Sequence, residues 1–201
     1  MGPNGAGKTT LLKLVATLLR PSAGDAFVMG HSIRNEPDAV RERTGLLTVR
    51  GFLYDDLTAA ENLHFTMRMA GLAPRPETIA RVLERVGLAG VADHRMRTFS
   101  TGMRKRLAFG QLLVRPLEIA LLDEPYSGLD TQGTRLVDEV VQEFKTAGTT
   151  VVLASHQDGE AVRDAEQTGV LRKGRLEILP ETEPLERHLS VGGAAGAPES
   201  D

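Results

Sequence analysis

Along this chain the hydrophobic positions change period, recurring at helical spacing early and running together in unbroken stretches later. Leu11, Leu12, Leu14 and Val15 predict a helix over about 8–19, ended by Pro21. The Pro21-Ser22-Ala23-Gly24-Asp25 turn then leads to a short strand, Ala26-Phe27-Val28-Met29-Gly30. A charged helix over 37–43 and a strand over 45–48 follow. Thr58, with Glu61 three residues on, forms a capping box for a helix reaching about Ala70, where Gly71 stops it. Ala73-Pro74-Arg75-Pro76 is a rigid connection to a helix over 77–86 that ends at Gly87. Ser100 introduces another over 101–114, with Leu107, Gln111 and Leu112 at helical spacing and Pro116 beyond it.

The second half reads differently. Glu118-Ile119-Ala120-Leu121-Leu122 is a continuous apolar run ending in acids, as a parallel strand covered on both faces requires. A helix over 131–145, closed by Gly148, leads to a second buried strand over 149–154. Strands at 169–171 and 175–178 flank a Lys173-Gly174 hairpin turn. Strands alternating with helices predict a three-layer α/β sandwich around a mainly parallel sheet. The helical stretch over about 55–115 is inserted into it. This gives one domain over 1–179, followed by a tail over 180–201, acidic and then Gly/Ala-rich, that is expected to be disordered.

Composition narrows the field only a little. A chain of 201 residues with 41% hydrophobic and 25% charged positions suits one globular domain with a substantial core. A formal charge of -3 argues against an electrostatic nucleic-acid binder, so no nucleic-acid partner is expected. The absence of cysteine removes disulfides and thiolate metal sites and fits a reducing compartment. No apolar run reaches the roughly 18 residues a membrane span needs. The amino end reads as a glycine-rich loop rather than a secretory signal, so a membrane role is expected through a partner subunit.

That loop carries the clearest chemistry. Gly2-Pro3-Asn4-Gly5-Ala6-Gly7-Lys8-Thr9-Thr10 fills the pattern G-x-x-x-x-G-K-[ST]. Its glycines allow successive amide groups to converge on an anion, and the helix behind aims its positive end there. Lys8 supplies a charge for terminal phosphates, and the Thr9 hydroxyl is placed to ligate Mg²⁺. Asp123 and Glu124 close the apolar strand at its carboxyl end, where open α/β sheets bind ligands. Asp123 can hold Mg²⁺ through water, and Glu124 can orient the water that attacks a γ-phosphate. His156, just past the second buried strand, can donate a hydrogen bond to that phosphate. Ser100 and Gly102, at a helix start, form a second anion site. Two anion sites and one nucleotide imply a dimer in which one subunit's helix end covers the other's phosphate.

These segments resemble the ATP-binding subunits of ABC transporters over about residues 2–179. The loop is similar to Walker A, Ile119 to Pro125 to Walker B, and Phe99-Ser100-Thr101-Gly102-Met103 to the family signature. Ser127-Gly128-Leu129-Asp130 resembles the D-loop, and His156 the switch histidine. The resemblance implies the P-loop NTPase fold with an inserted helical subdomain, and ATP and Mg²⁺ as cofactors. It assigns catalysis to Glu124 and His156, nucleotide contacts to residues 2–10, Ser100, Gly102 and Asp130, and the metal to Thr9 and Asp123. It also implies a homodimer or heterodimer of ATPase subunits docked on a separate membrane-spanning subunit at the cytoplasmic face. Phe52 to Phe65 and Ala154 to Gln157 resemble most the haem-exporter ATPase of cytochrome c maturation. Multidrug and other ABC-2-type exporter ATPases share much of this pattern.

Two features depart from the family. The Q-loop glutamine is absent from 48–52; Arg50 takes its place and can neither accept a hydrogen bond nor ligate a cation. It either approaches a phosphate or is solvated, and a solvated side chain is the reading preferred. The family also places a β-subdomain and a buried strand before Walker A. That strand is expected beside the Asp123 strand, and Met1 is accordingly read as a mis-called start or a truncation. A soluble ABC protein acting on ribosomes or DNA is disfavoured by the single cassette and the absence of cysteine. A non-catalytic fragment is a further rival, opposed by Glu124 and His156. His31, His64, His94 and His188 read as surface or packing residues, and Met67 and Met69 as groove or core packing.

Overall fold

The computed structural model describes residues 1–48, 51–155 and 160–180. Arg50, His156 and the tail from residue 181 lie outside the described residues. In chain order the elements begin with α1 (Lys8–Val15), the hairpin strands β1 (Phe27–Val28) and β2 (His31–Ser32), α2 (Pro37–Arg43) and β3 (Thr44–Leu47). Three helices follow, α3 (Ala59–Met69), α4 (Pro76–Arg85) and α5 (Thr101–Leu113). Then come β4 (Ile119–Asp123), α6 (Thr131–Thr146), β5 (Thr150–Ala154), α7 (Glu160–Arg163), β6 (Gly169–Arg172) and β7 (Arg175–Ile178).

The apolar run predicted as a doubly covered strand is the middle of a parallel sheet of order β3-β4-β5. Ala120, Leu121 and Leu122 are wholly buried, and alternation splits them between two faces. Leu121 packs with Leu12 of α1 and with Ala16, the residue that caps that helix. Ala120 and Leu122 join the larger cluster that includes Leu136, Val137 and Val140 of α6. Helices on both faces of a parallel sheet make this the three-layer α/β architecture of a P-loop NTPase.

The helices α3, α4 and α5, inserted between β3 and β4, share that larger cluster through Leu63, Val82, Leu83 and Phe109. Thr58 closes the expected capping box, its hydroxyl accepting from the Glu61 amide at 3.1 Å while the Glu61 carboxylate accepts from the Thr58 amide at 2.8 Å. Gly110 lets α5 press against both neighbours, since a Cβ there would stand 3.3 Å from Val82 and 3.4 Å from Leu63. Asn62, fully buried, donates to the carbonyls of Tyr54 and Thr58 and accepts from the Tyr54 amide, fixing the loop before the helix.

Several elements differ from expectation, each for a local reason. The first helix stops at Val15 because Thr17 takes φ +58° and the Leu18 amide bonds back to the Lys13 carbonyl. The strand predicted over 26–30 is a two-stranded hairpin, turned by Met29 and Gly30, both at positive φ. The strand over 149–154 is less buried than a central one, with Val152 43% exposed. It pairs with β4 along one edge, and among the described residues no strand takes its other edge. The expected vacancy beside the Asp123 strand is also absent, since β3 and β5 occupy both edges of β4. The residue entering the glycine-rich loop lies against β6 instead: Met1 donates to the Gly169 carbonyl and accepts from the Leu171 amide.

Candidate functional site

The glycine-rich loop sits at the carboxyl end of the parallel sheet and runs straight into α1. Gly2, at φ +154°, passes so close to the Leu171 carbonyl that a Cβ would collide with it. Gly7 caps the helix at φ +104°, a left-handed conformation that costs glycine little. From the first turn of α1, Lys8 reaches back across the loop and donates to the carbonyls of Gly2 at 2.7 Å and Pro3 at 3.3 Å. The same ammonium lies 3.8 Å from a carboxylate oxygen of Glu124.

One residue along, the Thr9 hydroxyl donates to Oδ2 of Asp123 at 2.8 Å. Asp123 is 1% exposed, and its Oδ1 has no hydrogen-bond partner among the described residues. A buried, half-satisfied carboxylate beside a hydroxyl is a poor arrangement for a protein interior by itself. It is a good one for a hard cation, which takes oxygen ligands from one carboxylate and a hydroxyl and keeps several waters. The residues present therefore fit Mg²⁺.

Glu124 follows at φ +50°, an unusual backbone for a residue bearing a Cβ. Its amide donates to the Ala154 carbonyl of β5 at 2.8 Å. Its carbonyl accepts from the Ser127 amide at 3.2 Å and from the Lys105 ammonium at 2.5 Å. The turn from Glu124 to Ser127 then carries Tyr126 inward, where its hydroxyl donates to Asp138 of α6 at 2.5 Å. Asp138 also accepts from the Ala161 amide of α7 at 3.3 Å.

The structure thus brings together residues 2–10, Asp123 and Glu124. It does not bring Ser100, Gly102 or Asp130 to them through any hydrogen bond among the described residues. Ser100 caps α5 by accepting from the Met103 amide at 3.2 Å. Asp130 caps α6 in the same way, accepting from the Gly133 amide at 2.7 Å. Gly102 has nothing within 4 Å of where a Cβ would stand, an open surface at the head of α5. Sequence reasoning missed Lys105, which is 7% exposed and also donates to the Ser127 carbonyl at 2.7 Å. Burial pulls its pKa down to about 8, against the opposing pull of the Glu124 and Asp123 charges. The signal was present: Lys105 stands in register with Ala108, Phe109 and Leu112 on the buried stripe of α5.

A groove of about 780 Å³ opens between α2, α3 and α5. Phe52, Tyr54 and Met69, all about half exposed or more, lie along it. No helix among the described residues is long and apolar enough to cross a membrane.

Comparison with known proteins agrees with this geometry. Residues 1–127 match the ABC transporter family. The chain is 38% identical over 178 residues to the daunorubicin/doxorubicin resistance ATP-binding protein DrrA of Streptomyces peucetius, covering 88% of this chain and 54% of that protein. It is 41% identical over 158 residues to the cytochrome c biogenesis ATP-binding export protein CcmA 2 of Cupriavidus metallidurans, covering 78% of this chain and 74% of that one. It therefore spans about half the length of the first of these relatives. Among solved structures, a dimeric ATP-binding cassette in a post-hydrolysis state with ADP and Pi superposes with a TM-score of 0.79 at 26% identity. That alignment covers 90% of this chain and 84% of the other. A phosphate loop folded onto a paired Asp and Glu is the local feature, and the family match extends it across more than half the sequence: this chain belongs to the ABC transporter family of ATP-binding proteins.

Proposed function

We propose that the chain binds and hydrolyses ATP and thereby powers export through a separate membrane-spanning subunit. The observation that carries this reading is the Thr9–Asp123 hydrogen bond beneath the loop, with Lys8 and Glu124 beside it and Asp123 Oδ1 left without a partner. Within residues 2–10 the backbone amides other than that of Pro3, together with the Lys8 ammonium, hold the triphosphate, and α1 adds its positive end. Thr9 and Asp123 would hold Mg²⁺, which would neutralise charge gathering on the phosphates. The Glu124 carboxylate accepts a hydrogen bond from the attacking water and sets its line of approach to the γ-phosphorus. His156 takes the role of γ-phosphate donor.

Ser100 and Gly102 serve a second copy or a paired ATPase subunit, closing over its nucleotide. Neither residue bonds to its own loop among the described residues, which supports this, as does the dimeric form of the ADP-bound relative. The groove lined by Phe52, Tyr54 and Met69 supports docking of a membrane subunit there, which would hold the chain at the cytoplasmic face of the membrane. Two cargo readings stand beside each other, because relatives at 38% and 41% identity carry drug-resistance and cytochrome c biogenesis names. The ATPase domain takes up about residues 1–179.

Phosphate release from ATP, with and without Mg²⁺, tests the reading. We expect Mg²⁺-dependent turnover that Glu124→Gln lowers by about a hundred-fold or more with ATP still bound, and that Lys8→Ala lowers through binding. Turnover indifferent to both substitutions would overturn it, and no turnover in the parent chain would favour a non-catalytic ABC fragment.

A further inference from the structure

A buried lysine that forms no ion pair needs a reason, because the charge has been taken out of water without a counter-charge at contact. Lys105 is such a residue. It is 7% exposed, and among the described residues its ammonium bonds to two backbone carbonyls, Glu124 at 2.5 Å and Ser127 at 2.7 Å. A methionine of similar length would fill the space without that cost.

The two carbonyls are not arbitrary. Glu124 stands at φ +50°, a conformation that persists only where its surroundings over-determine it. Its amide is tied to Ala154 of β5, and on its carbonyl side the Ser127 amide already bonds within the turn. Lys105 fastens that side and, through Ser127, the far end of the same turn. With both ends held, the direction of the Glu124 Cα–Cβ bond is set, and with it the region the carboxylate can reach. Lys105 also belongs to α5, which Ser100 caps and whose first turn carries Gly102. Gly128, in the turn beyond Ser127, comes within 3.9 Å of Thr101 if given a Cβ, so the two segments also meet at the helix head.

The geometry points to Lys105 as a positioning residue that ties the head of α5 to the backbone of Glu124, so that the helix end and the carboxylate move as one piece. This rests on the hydrolytic reading above and deepens it. A phosphate engaging Ser100 and Gly102 from outside would then bear on the direction of this chain's own Glu124. The tie needs a charged donor of the right reach and contributes nothing to ATP contact itself.

Steady-state ATP hydrolysis by the full chain, with Lys105→Met, Lys105→Arg and Lys105→Gln, tests it. We expect Lys105→Met to lower kcat by about ten- to a hundred-fold, the scale on which small misplacements of a reacting group act, with the KM for ATP within about two-fold. Lys105→Arg, which keeps the charge and the donors, should recover most of kcat. A Lys105→Met enzyme with parental kcat would overturn the proposal, as would a loss carried by KM. If Lys105→Met does not fold, Lys105→Gln replaces it, and Arg and Gln variants equally impaired would overturn the proposal. A parent without Mg²⁺-dependent turnover sinks the hydrolytic reading instead, whereas an active parent indifferent to Lys105 sinks this inference alone.

Discussion

Leu121→Ala tests whether the site stands on the core the sheet builds beneath it. Leu121 is wholly buried on the face of β4 that meets α1, against Leu12, Ala16 and Ala154. Truncation removes three carbons and leaves a void. Two of the three buried neighbours are alanines, which have no side chain to swing into it, so the site relaxes little. The cost should fall in the upper part of the Leu→Ala range, about 4 kcal/mol. Against a domain stability of about 5–15 kcal/mol that is a large fraction. At roughly 2–4 °C per kcal/mol for a chain of this size, the midpoint should fall by about 8–16 °C. Leu12 lies one turn along α1 from Lys8 and Thr9, so the KM for ATP should rise more than kcat falls. Leu18→Ala is the control, since Leu18 is 46% exposed and its loss should cost no more than about 0.5 kcal/mol. Thermal unfolding of both, with ATP hydrolysis on the folded fraction, decides the matter. A Leu121→Ala loss under about 1.5 kcal/mol, or one equalled by Leu18→Ala, would refute the reasoning.

Tyr126→Phe removes the donor to Asp138, a carboxylate that among the described residues otherwise keeps the 3.3 Å bond from Ala161 named above. A hydrogen bond to a charged group at this part-buried position should cost about 1.5–3 kcal/mol, seen as a lower urea midpoint at unchanged slope. An unchanged midpoint would mean that Asp138 is satisfied without Tyr126. Lys105 predicts a pH effect with two opposite signs. Its folded pKa of about 8 lies below the ordinary 10.5, with the Asp123 and Glu124 carboxylates the charges facing it and Lys8 paired to Glu124. As pH rises through about 8 the ammonium is lost, so kcat should decline. Between there and about 10.5 the unfolded chain binds the proton and the folded chain does not, so this group's contribution makes the fold more stable as pH rises. Lys105→Arg should hold its kcat across that window, and a decline identical to the parent's would assign the titration to another group.

What could be read from the sequence divides by the distance over which the determining contacts act. Thr58 with Glu61, the Lys173-Gly174 turn and the glycine-rich loop are each set by neighbours a few residues apart, and the structure shows all three. The apolar run at 119–122 announced a strand covered on both faces for the same reason, since its composition already excludes water. Where the first helix ends was not legible, because Thr17 turns the chain at positive φ with no glycine or proline to mark it. Nor was the order of strands. Burial tells a strand that it has neighbours but not which, so a vacancy assigned beside β4 is instead, among the described residues, an open edge on β5.

The candidate site divides the same way. Asp123 and Glu124 were found because they follow the apolar run directly, and Thr9 because it closes the loop pattern. That the Thr9 hydroxyl reaches Asp123, 114 residues on, is a product of folding alone. Lys105 shows the limit most sharply. Its place among Ala108, Phe109 and Leu112 marked it as buried, while its charge suggested a solvated face, and either reading by itself is ordinary. The contradiction between them was the signal. A cation on an apolar stripe must find acceptors inside the protein, and the acceptors able to receive it without a counter-charge are main-chain carbonyls released by an irregular turn. The turn at Glu124 is such a place, because its left-handed backbone leaves the carbonyls of Glu124 and Ser127 outside any ladder. The lysine and the turn therefore explain each other: the ammonium supplies the donor that the turn's carbonyls receive, and the turn supplies the acceptors that a buried ammonium needs.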